Sequence, residues 1–217
     1  MKLVDKFMNE PPNILPPKGL VMPAWKMVDA EHADAVERGS LLIGTLAGYK
    51  QLENGRADAL DGGVEYYSSQ PMFKGDPASE VAMRRLGIDA HLAVNVTTRI
   101  VQPPTYAFCM AKPGCMHDPT PEKQKAVFAI SDAIELSYAI TRKFAEKFAR
   151  VGVGEVRYEK RRFDVFGEEP SDADPWVKDL IFEPEMEIRI AWLATSQATP
   201  FVTGEDEELA RFLTRIR

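Results

Sequence analysis

The stretch from Ile181 to Ala194, IFEPEMEIRIAWLA, constrains the fold more than any other part of this chain. Its residues alternate between apolar and charged, which is typical of a β-strand because successive side chains point to opposite faces. The alternation predicts an apolar face of four residues: Met186, Ile188, Ile190 and Trp192. It predicts an opposite face of three charged residues: Glu185, Glu187 and Arg189.

Two interpretations of the charged face are open. If the face is solvated, the residues form an ion pair on an ordinary polar surface. If it lines a cleft, Glu185 and Glu187 are candidate catalytic residues and Arg189 is a candidate ligand-binding residue. A glutamate beside Arg189 should stay ionised, because a neighbouring cation favours the charged form. An ionised glutamate suits electrostatic stabilisation of positive charge better than general acid catalysis.

Length and composition indicate a soluble globular protein. The chain has 217 residues, of which 45% are hydrophobic and 28% are charged. No run approaches the roughly 18 apolar residues that a membrane span needs. The N-terminus has no apolar core of signal-peptide length, and the two cysteines make no disulfide framework. We therefore expect a cytoplasmic protein with no membrane partner, and the net charge of −6 makes nucleic acid a less favoured partner.

The order of elements predicts an α+β fold. Residues 1–19 contain four prolines and form a proline-rich N-terminal arm, and residues 20–217 form a single α+β domain. Strand-like runs dominate, and two helices are long: 132–151, with apolar residues every three or four positions, and 205–216. This pattern predicts a mixed, largely antiparallel sheet core with two long helices packed on it.

Other patterns in the sequence point to binding chemistry less directly. Arg56 lies in a glycine-flanked loop with Asp58 and Asp61, where it can bind an anionic ligand or pair with either aspartate. Residues 142–162 carry eight basic and three acidic residues, which indicates a solvated face or a surface for an acidic partner. Cys109, Cys115 and His117 lack the spacing and the fourth ligand of a zinc site, so we predict no metal.

The order of several motifs resembles the DUF2971-like domains, an uncharacterised group from bacteria and phages. The motifs run LLIGTLAGYKQLENGRADALDGG, YAFCMAK, AVFAISD, GEVRYEK and EMEIRIAW, within roughly residues 20–195. This resemblance implies an origin in a phage or mobile element. The chain departs from the group at the cysteine strand, where Met110 and Ala111 follow Cys109 in place of the usual serine pattern.

A weaker similarity is to ADP-ribosyltransferases, whose late strand carries an E-x-E motif. The similarity implies that Glu187 is the catalytic glutamate and Glu185 its partner. It also implies that Ser68 and Ser69, in YYSSQ, stand for the serine strand of that layout. The first-strand arginine of the layout has no clean match, since Lys26 is the nearest cation.

These observations lead to two hypotheses from different classes. The first is a transferase-like enzyme that handles NAD or another nucleotide, with NAD as the candidate cofactor. Its candidate residues are Glu185, Glu187, Tyr49, Arg56, Tyr67, Ser68 and Arg189. The alternative is a non-catalytic binding protein that acts by occupying a protein or nucleic-acid partner. The enzyme hypothesis requires Glu185 or Glu187 in a concave pocket near Tyr49, Arg56 or Tyr67.

Overall fold

The computed structural model describes residues 20–48, 60–101, 103–115, 124–167 and 173–217. The chain divides into two compact units, each assembled from segments that are distant in sequence. The described residues of the large unit fall within Met1–Arg56, Pro103–Val156 and Pro184–Arg217, and those of the small unit fall within Ala57–Gln102 and Arg157–Glu183. The predicted arm lies outside the described residues, and the single-domain arrangement stays a prediction.

The strands and helices have the following bounds. The strands are β1 (Ala24–Asp29), β2 (Leu42–Thr45), β3 (Val64–Tyr67), β4 (Met72–Phe73), β5 (Leu92–Ala93), β6 (Thr97–Ile100), β7 (Thr105–Ala111), β8 (Lys125–Ile130), β9 (Phe148–Glu155), β10 (Arg157–Glu159), β11 (Arg162–Asp164), β12 (Val177–Asp179), β13 (Glu187–Ala194), β14 (Phe201–Val202) and β15 (Leu213–Arg215). The helices are α1 (Ala33–Glu37), α2 (Pro77–Leu86), α3 (Ala133–Lys143) and α4 (Glu207–Ala210).

The large unit is built on an eight-stranded sheet in which all the ladders are antiparallel. Strands run in the order β14-β2-β7-β1-β8-β15, while β13 pairs with β7 on one side and with β9 on the other. The chain is therefore strand-rich with a large antiparallel sheet, as the sequence predicted.

Strand β13 lies inside this sheet, and its apolar face forms the core of the large unit. Ile190 is opposite Phe108 of β7 and Val153 of β9, so the three side chains share a face. Trp192 is fully buried on that face and donates from Nε1 to Thr141 Oγ1 of α3 at 2.8 Å. Helix α3 thus covers the apolar face of the sheet.

The prediction of two long helices on the sheet is wrong. The helix predicted over 132–151 ends at Lys143, and β9 begins at Phe148. In β9, Val151 and Val153 alternate with glycines and pair with β13, so hydrogen bonding to a neighbouring strand overrides the helical spacing. The predicted start of the helix is confirmed, since Asp132 caps it by accepting from Ile134 N at 2.9 Å.

The C-terminal helix predicted over 205–216 is also much shorter than expected. Asp206 caps a four-residue helix, α4, by accepting hydrogen bonds from Glu208 N and Leu209 N. The chain then turns into β15, which pairs with β8 and buries Leu213 against the core. The apolar residues predicted to dock a helix on the core therefore dock a short helix followed by an edge strand.

The small unit has its own core and its own sheets. β3 lies between β11, its parallel partner, and β6, its antiparallel partner. Val64, Tyr66 and Phe163 point into a core that also contains Met83 of α2. Two further pairs, β10 with β12 and β4 with β5, complete the described strands of this unit. Within the described ranges of the chain, no helix is long and apolar enough to span a membrane.

We expect Trp192→Ala to lower the free energy of unfolding by about 3–5 kcal/mol, because it removes a large buried ring from a close-packed core. The ring stacks on Phe148 with centroids 5.1 Å apart. Urea denaturation followed by circular dichroism measures the change. Val202→Ala, on the exposed edge strand β14, is the control and should change stability by less than about 0.5 kcal/mol. Equal effects of the two substitutions would contradict this assignment of the core.

Candidate functional site

The charged row of β13 contains a buried ion pair. Arg189 Nε donates to Glu187 Oε1 at 2.6 Å. Arg189 is fully buried and Glu187 is 4% exposed. Since residues two apart on a strand share a face, the pair lies on the face of β13 opposite Ile188 and Ile190. The row is therefore not a solvated polar surface.

Small residues flank this pair on the neighbouring strands. Cys109 of β7 and Gly154 of β9 lie directly opposite Arg189. The next residue on the same face, Ala191, has Ala107 and Gly152 opposite it. With so little side-chain volume on either side, the sheet leaves lateral room for a long guanidinium side chain on its second face.

Glu185 does not lie on the strand, which corrects the prediction of a three-residue charged face. It ends a 3₁₀ segment, Leu180–Glu185, and the following residue, Met186, has φ 45° and is 45% exposed. A positive φ at a non-glycine residue interrupts the extended backbone, so the alternation of β13 begins only at Glu187. The Cys115 thiol lies 3.3 Å from the backbone carbonyl oxygen of Glu185, which places Glu185 against the loop after β7.

The other predicted ligand-binding residues fall in different parts of the chain. Tyr49 and Arg56 lie outside the described residues. Tyr67 and Ser68 belong to the small unit, at the end of β3, where Tyr67 is exposed and Ser68 Oγ donates to the backbone carbonyl of Gln70. The structure therefore brings together Glu187 and Arg189 directly, while Tyr67 and Ser68 are described within the small unit only.

Much of the basic charge of residues 142–162 is engaged within the protein. Ion pairs join Arg142 to Glu208, Lys143 to Asp206, Arg157 to Asp174 and Glu159, and Arg162 to Glu65. Lys147 and Lys160 lie over the rings of Phe201 and Phe163, and Arg161 is fully buried. This distribution favours a structural use of the run over a surface for nucleic acid.

Sequence reasoning missed a second charged arrangement, in the small unit. Glu65 on β3 lies between Arg162 of β11 and Arg99 of β6 in the same row of the three-stranded sheet. Arg99 Nε donates to Glu65 Oε2 at 2.7 Å, and Arg162 contacts Glu65 Oε1 through Nε at 2.7 Å and Nη2 at 2.6 Å. The three residues come from distant parts of the chain, so no local motif indicates them.

The two arginines determine the charge of Glu65. Its side chain is 2% exposed, and burial by itself raises the pKa of the carboxyl. The hydrogen bonds and positive charges of Arg99 and Arg162 together outweigh burial and hold the pKa below its ordinary value of 4.5. Glu65 is therefore ionised at neutral pH.

Comparisons of the chain with models of protein families, with curated proteins and with solved structures find no match. The resemblance to DUF2971-like domains and the similarity to ADP-ribosyltransferases stay predictions. Within the described parts of the chain, no three or more His, Cys, Asp or Glu residues are grouped so that they could hold a metal ion.

We expect Arg189→Met to lower the free energy of unfolding by about 3–5 kcal/mol, because the buried Glu187 loses the 2.6 Å hydrogen bond from the Arg189 guanidinium. The double variant Glu187→Met/Arg189→Met should lose less free energy of unfolding than the losses of Glu187→Met and Arg189→Met added together, since both charges of the pair are removed at once. Urea denaturation of the four proteins gives the coupling energy.

The control cycle for this coupling energy uses Arg38 and Glu205, which pair at 2.7 Å between exposed side chains. Methionine at these two positions should give a coupling energy below about 1 kcal/mol. An equally small coupling energy for Glu187 and Arg189 would show that the buried pair acts like a surface pair.

The lowered pKa of Glu65 predicts that the free energy of unfolding falls in acid. A carboxyl whose pKa is lowered by folding contributes stability that is full above its unfolded value, and the contribution falls as pH drops through the folded value. The stability advantage of the wild type over Glu65→Gln should thus be constant well above pH 4.5 and shrink below it. Urea denaturation at a series of pH values measures the difference. An advantage that stays constant or grows on acidification would contradict the prediction.

Proposed function

We propose that this chain is a transferase-like enzyme that handles NAD or a related nucleotide, with Glu187 as its acidic centre. The observation that supports the proposal is the buried ion pair between Glu187 and Arg189 on the second face of the large sheet. The expected location is the cytoplasm, and the expected partner is a small nucleotide-like ligand.

A stabilising role alone is a poor explanation for this pair. Removing two charges from water costs several kcal/mol for each ion, and apolar residues of similar volume often stabilise a protein as well or better. Ile188, Ile190 and Trp192 already supply an apolar core on the other face of the strand. Buried charges with a specific partner are concentrated at functional sites, which favours a chemical role for Glu187.

The chemistry proposed for Glu187 is electrostatic. When the glycosidic bond between nicotinamide and ribose breaks, its electron pair leaves with nicotinamide and positive charge develops on the ribose. An ionised carboxylate stabilises that charge until an acceptor attacks the ribose carbon and loses its proton. Arg189 pairs with the Glu187 carboxylate and fixes its orientation through the 2.6 Å hydrogen bond.

The remaining predicted residues have revised roles under this proposal. Arg189 is fully buried and serves Glu187, and Arg56 stays a candidate for the binding of anionic groups. Glu185 stays a candidate partner of Glu187, at the end of the 3₁₀ segment that precedes the strand.

A second candidate function, a non-catalytic binding protein, rests on a different observation. Phe73 of β4 and Leu92 of β5 are directly opposite each other, and each is 53% exposed. Adjoining exposed apolar side chains are the start of the kind of patch that marks a surface for another protein. In this candidate function the chain acts by occupying its partner.

The proposed transferase activity is tested by incubating the chain with a cell lysate and with NAD that is labelled on its adenylate moiety. We expect label to appear on an acceptor in the wild-type reaction and to fall by about 100-fold or more with Glu187→Gln, because the neutral amide no longer stabilises positive charge. Scintillation counting of separated products measures the transfer, and circular dichroism confirms that the variant is folded.

Glu155→Gln is the matched control for this experiment. Glu155 ends β9 at the same end of the sheet, opposite Ile188, and its exposed carboxylate pairs with Lys112 at 2.8 Å. This variant should transfer label at the wild-type rate. The absence of labelled product in the wild-type reaction would overturn the enzyme proposal, and equal rates for wild type and Glu187→Gln would remove Glu187 from the chemistry.

A further inference from the structure

We propose that the small unit binds the diphosphate group of a nucleoside diphosphate through Arg99 and Arg162, on the exposed face of the sheet formed by β11, β3 and β6. This inference is independent of the chemistry proposed for Glu187. It rests on how one buried carboxylate orients two exposed guanidinium groups.

The arginines are held in position from below. Glu65 contacts Arg99 through Nε only, and it contacts Arg162 through Nε and Nη2. The carboxylate is buried, while the side chains of Arg99 and Arg162 are 56% and 66% exposed. Each guanidinium is therefore anchored on its inner edge and faces solvent with its outer nitrogens.

The outer nitrogens are available to a ligand. Within the described part of the chain, Nη1 and Nη2 of Arg99 and Nη1 of Arg162 have no hydrogen-bond partner. A guanidinium edge with two parallel N–H groups matches the spacing of two phosphate oxygens, which is why arginine is favoured where phosphate is recognised. Because the anchoring carboxylate limits side-chain rotation, less conformational entropy is lost when the anion binds.

The charge of the row is positive. Two guanidinium groups accompany one ionised carboxylate, which leaves one net positive charge close to the outer nitrogens. Asp164 lies one row further along β11, and it is already engaged, since Oδ1 accepts from Phe166 N at 3.1 Å and the carboxylate accepts from Ser69. The anion is therefore expected to lie over Arg99 and Arg162 and away from Asp164.

Tyr67 adds an aromatic surface beside the arginines. It is two residues after Glu65 on β3, so the two side chains share a face, and its ring is exposed. Diagonal neighbours on adjacent strands lie roughly 7–8 Å apart, within reach of long side chains. A base stacked on this ring would place its phosphates near the arginines, and exposed aromatic rings stack on bases in many nucleotide-binding surfaces. A nucleoside diphosphate combines the two groups that this face recognises.

The experiment measures binding of ADP, inorganic pyrophosphate and adenosine to the full chain by isothermal titration calorimetry. We expect ADP and pyrophosphate to bind the wild type. Arg99→Gln and Arg162→Gln should each raise the dissociation constants of ADP and pyrophosphate by about ten- to hundredfold, because each removes charged hydrogen bonds to the phosphates. Tyr67→Leu should weaken the binding of ADP and leave the binding of pyrophosphate unchanged.

Two further variants separate a binding site from a structural ion pair. Arg99→Lys keeps the charge but not the paired N–H groups. This variant should bind ADP and pyrophosphate more weakly than the wild type does and more tightly than Arg99→Gln does. Arg38→Gln is the matched control, because Arg38 has the same 56% exposure and donates from Nε to a glutamate at the same 2.7 Å. This variant should bind like the wild type.

The inference would be overturned if either ADP or pyrophosphate failed to bind the wild type. It would also be overturned if the Arg99→Gln and Arg162→Gln proteins folded and bound these ligands like the wild type. Equal weakening by Arg38→Gln would also overturn it, because general positive charge would then explain the binding. Pyrophosphate binding is measured without NAD and without lysate, so failure of this inference stays distinguishable from failure of the transferase proposal.

Discussion

The large unit depends on the pairing of β13 with two antiparallel neighbours. Ile188, Ile190 and Trp192 enter the core only in the observed register with β7 and β9. A slip of one residue would turn Arg189 and Glu187 into that core and move the apolar row to the other face. The buried ion pair and the apolar row thus specify the same register from opposite sides of the strand.

This double constraint explains why the neighbours of Arg189 are small. A buried guanidinium needs volume beside it as well as a carboxylate, and Cys109, Gly154, Ala107 and Gly152 leave that volume on the two adjacent strands. Glycine is unfavourable inside a strand because it loses more backbone entropy than other residues and packs no side chain. Two glycines in β9 therefore weaken the strand locally, while they leave space next to the charged face.

The alternation in the sequence identified β13 and its apolar row, because the period of a strand is a local property. The local pattern could not distinguish β9 from a helix, since Phe148 and Val151 fit the three-residue spacing of a helix and are also compatible with a strand. The deciding interaction is the ladder with β13, which lies about forty residues away along the chain and is invisible to a local pattern. The prediction that Glu185 lies on the strand is wrong for a similar reason. Met186 has a positive φ, and no glycine or asparagine at this position indicates that conformation in the sequence.

The same distinction separates the two charged arrangements. Glu187 and Arg189 are two residues apart, so strand geometry alone puts them on one face, and the sequence predicted their proximity. Glu65 is separated from Arg99 by 34 residues and from Arg162 by 97, so their row exists only because β3 pairs with β6 and β11 in one particular register. The charge of Glu65 is likewise a property of the assembled sheet, since the two neighbouring strands supply the cations that keep it ionised. A site of this kind can be identified only after the strand order is known, because each strand alone contributes a single charged residue.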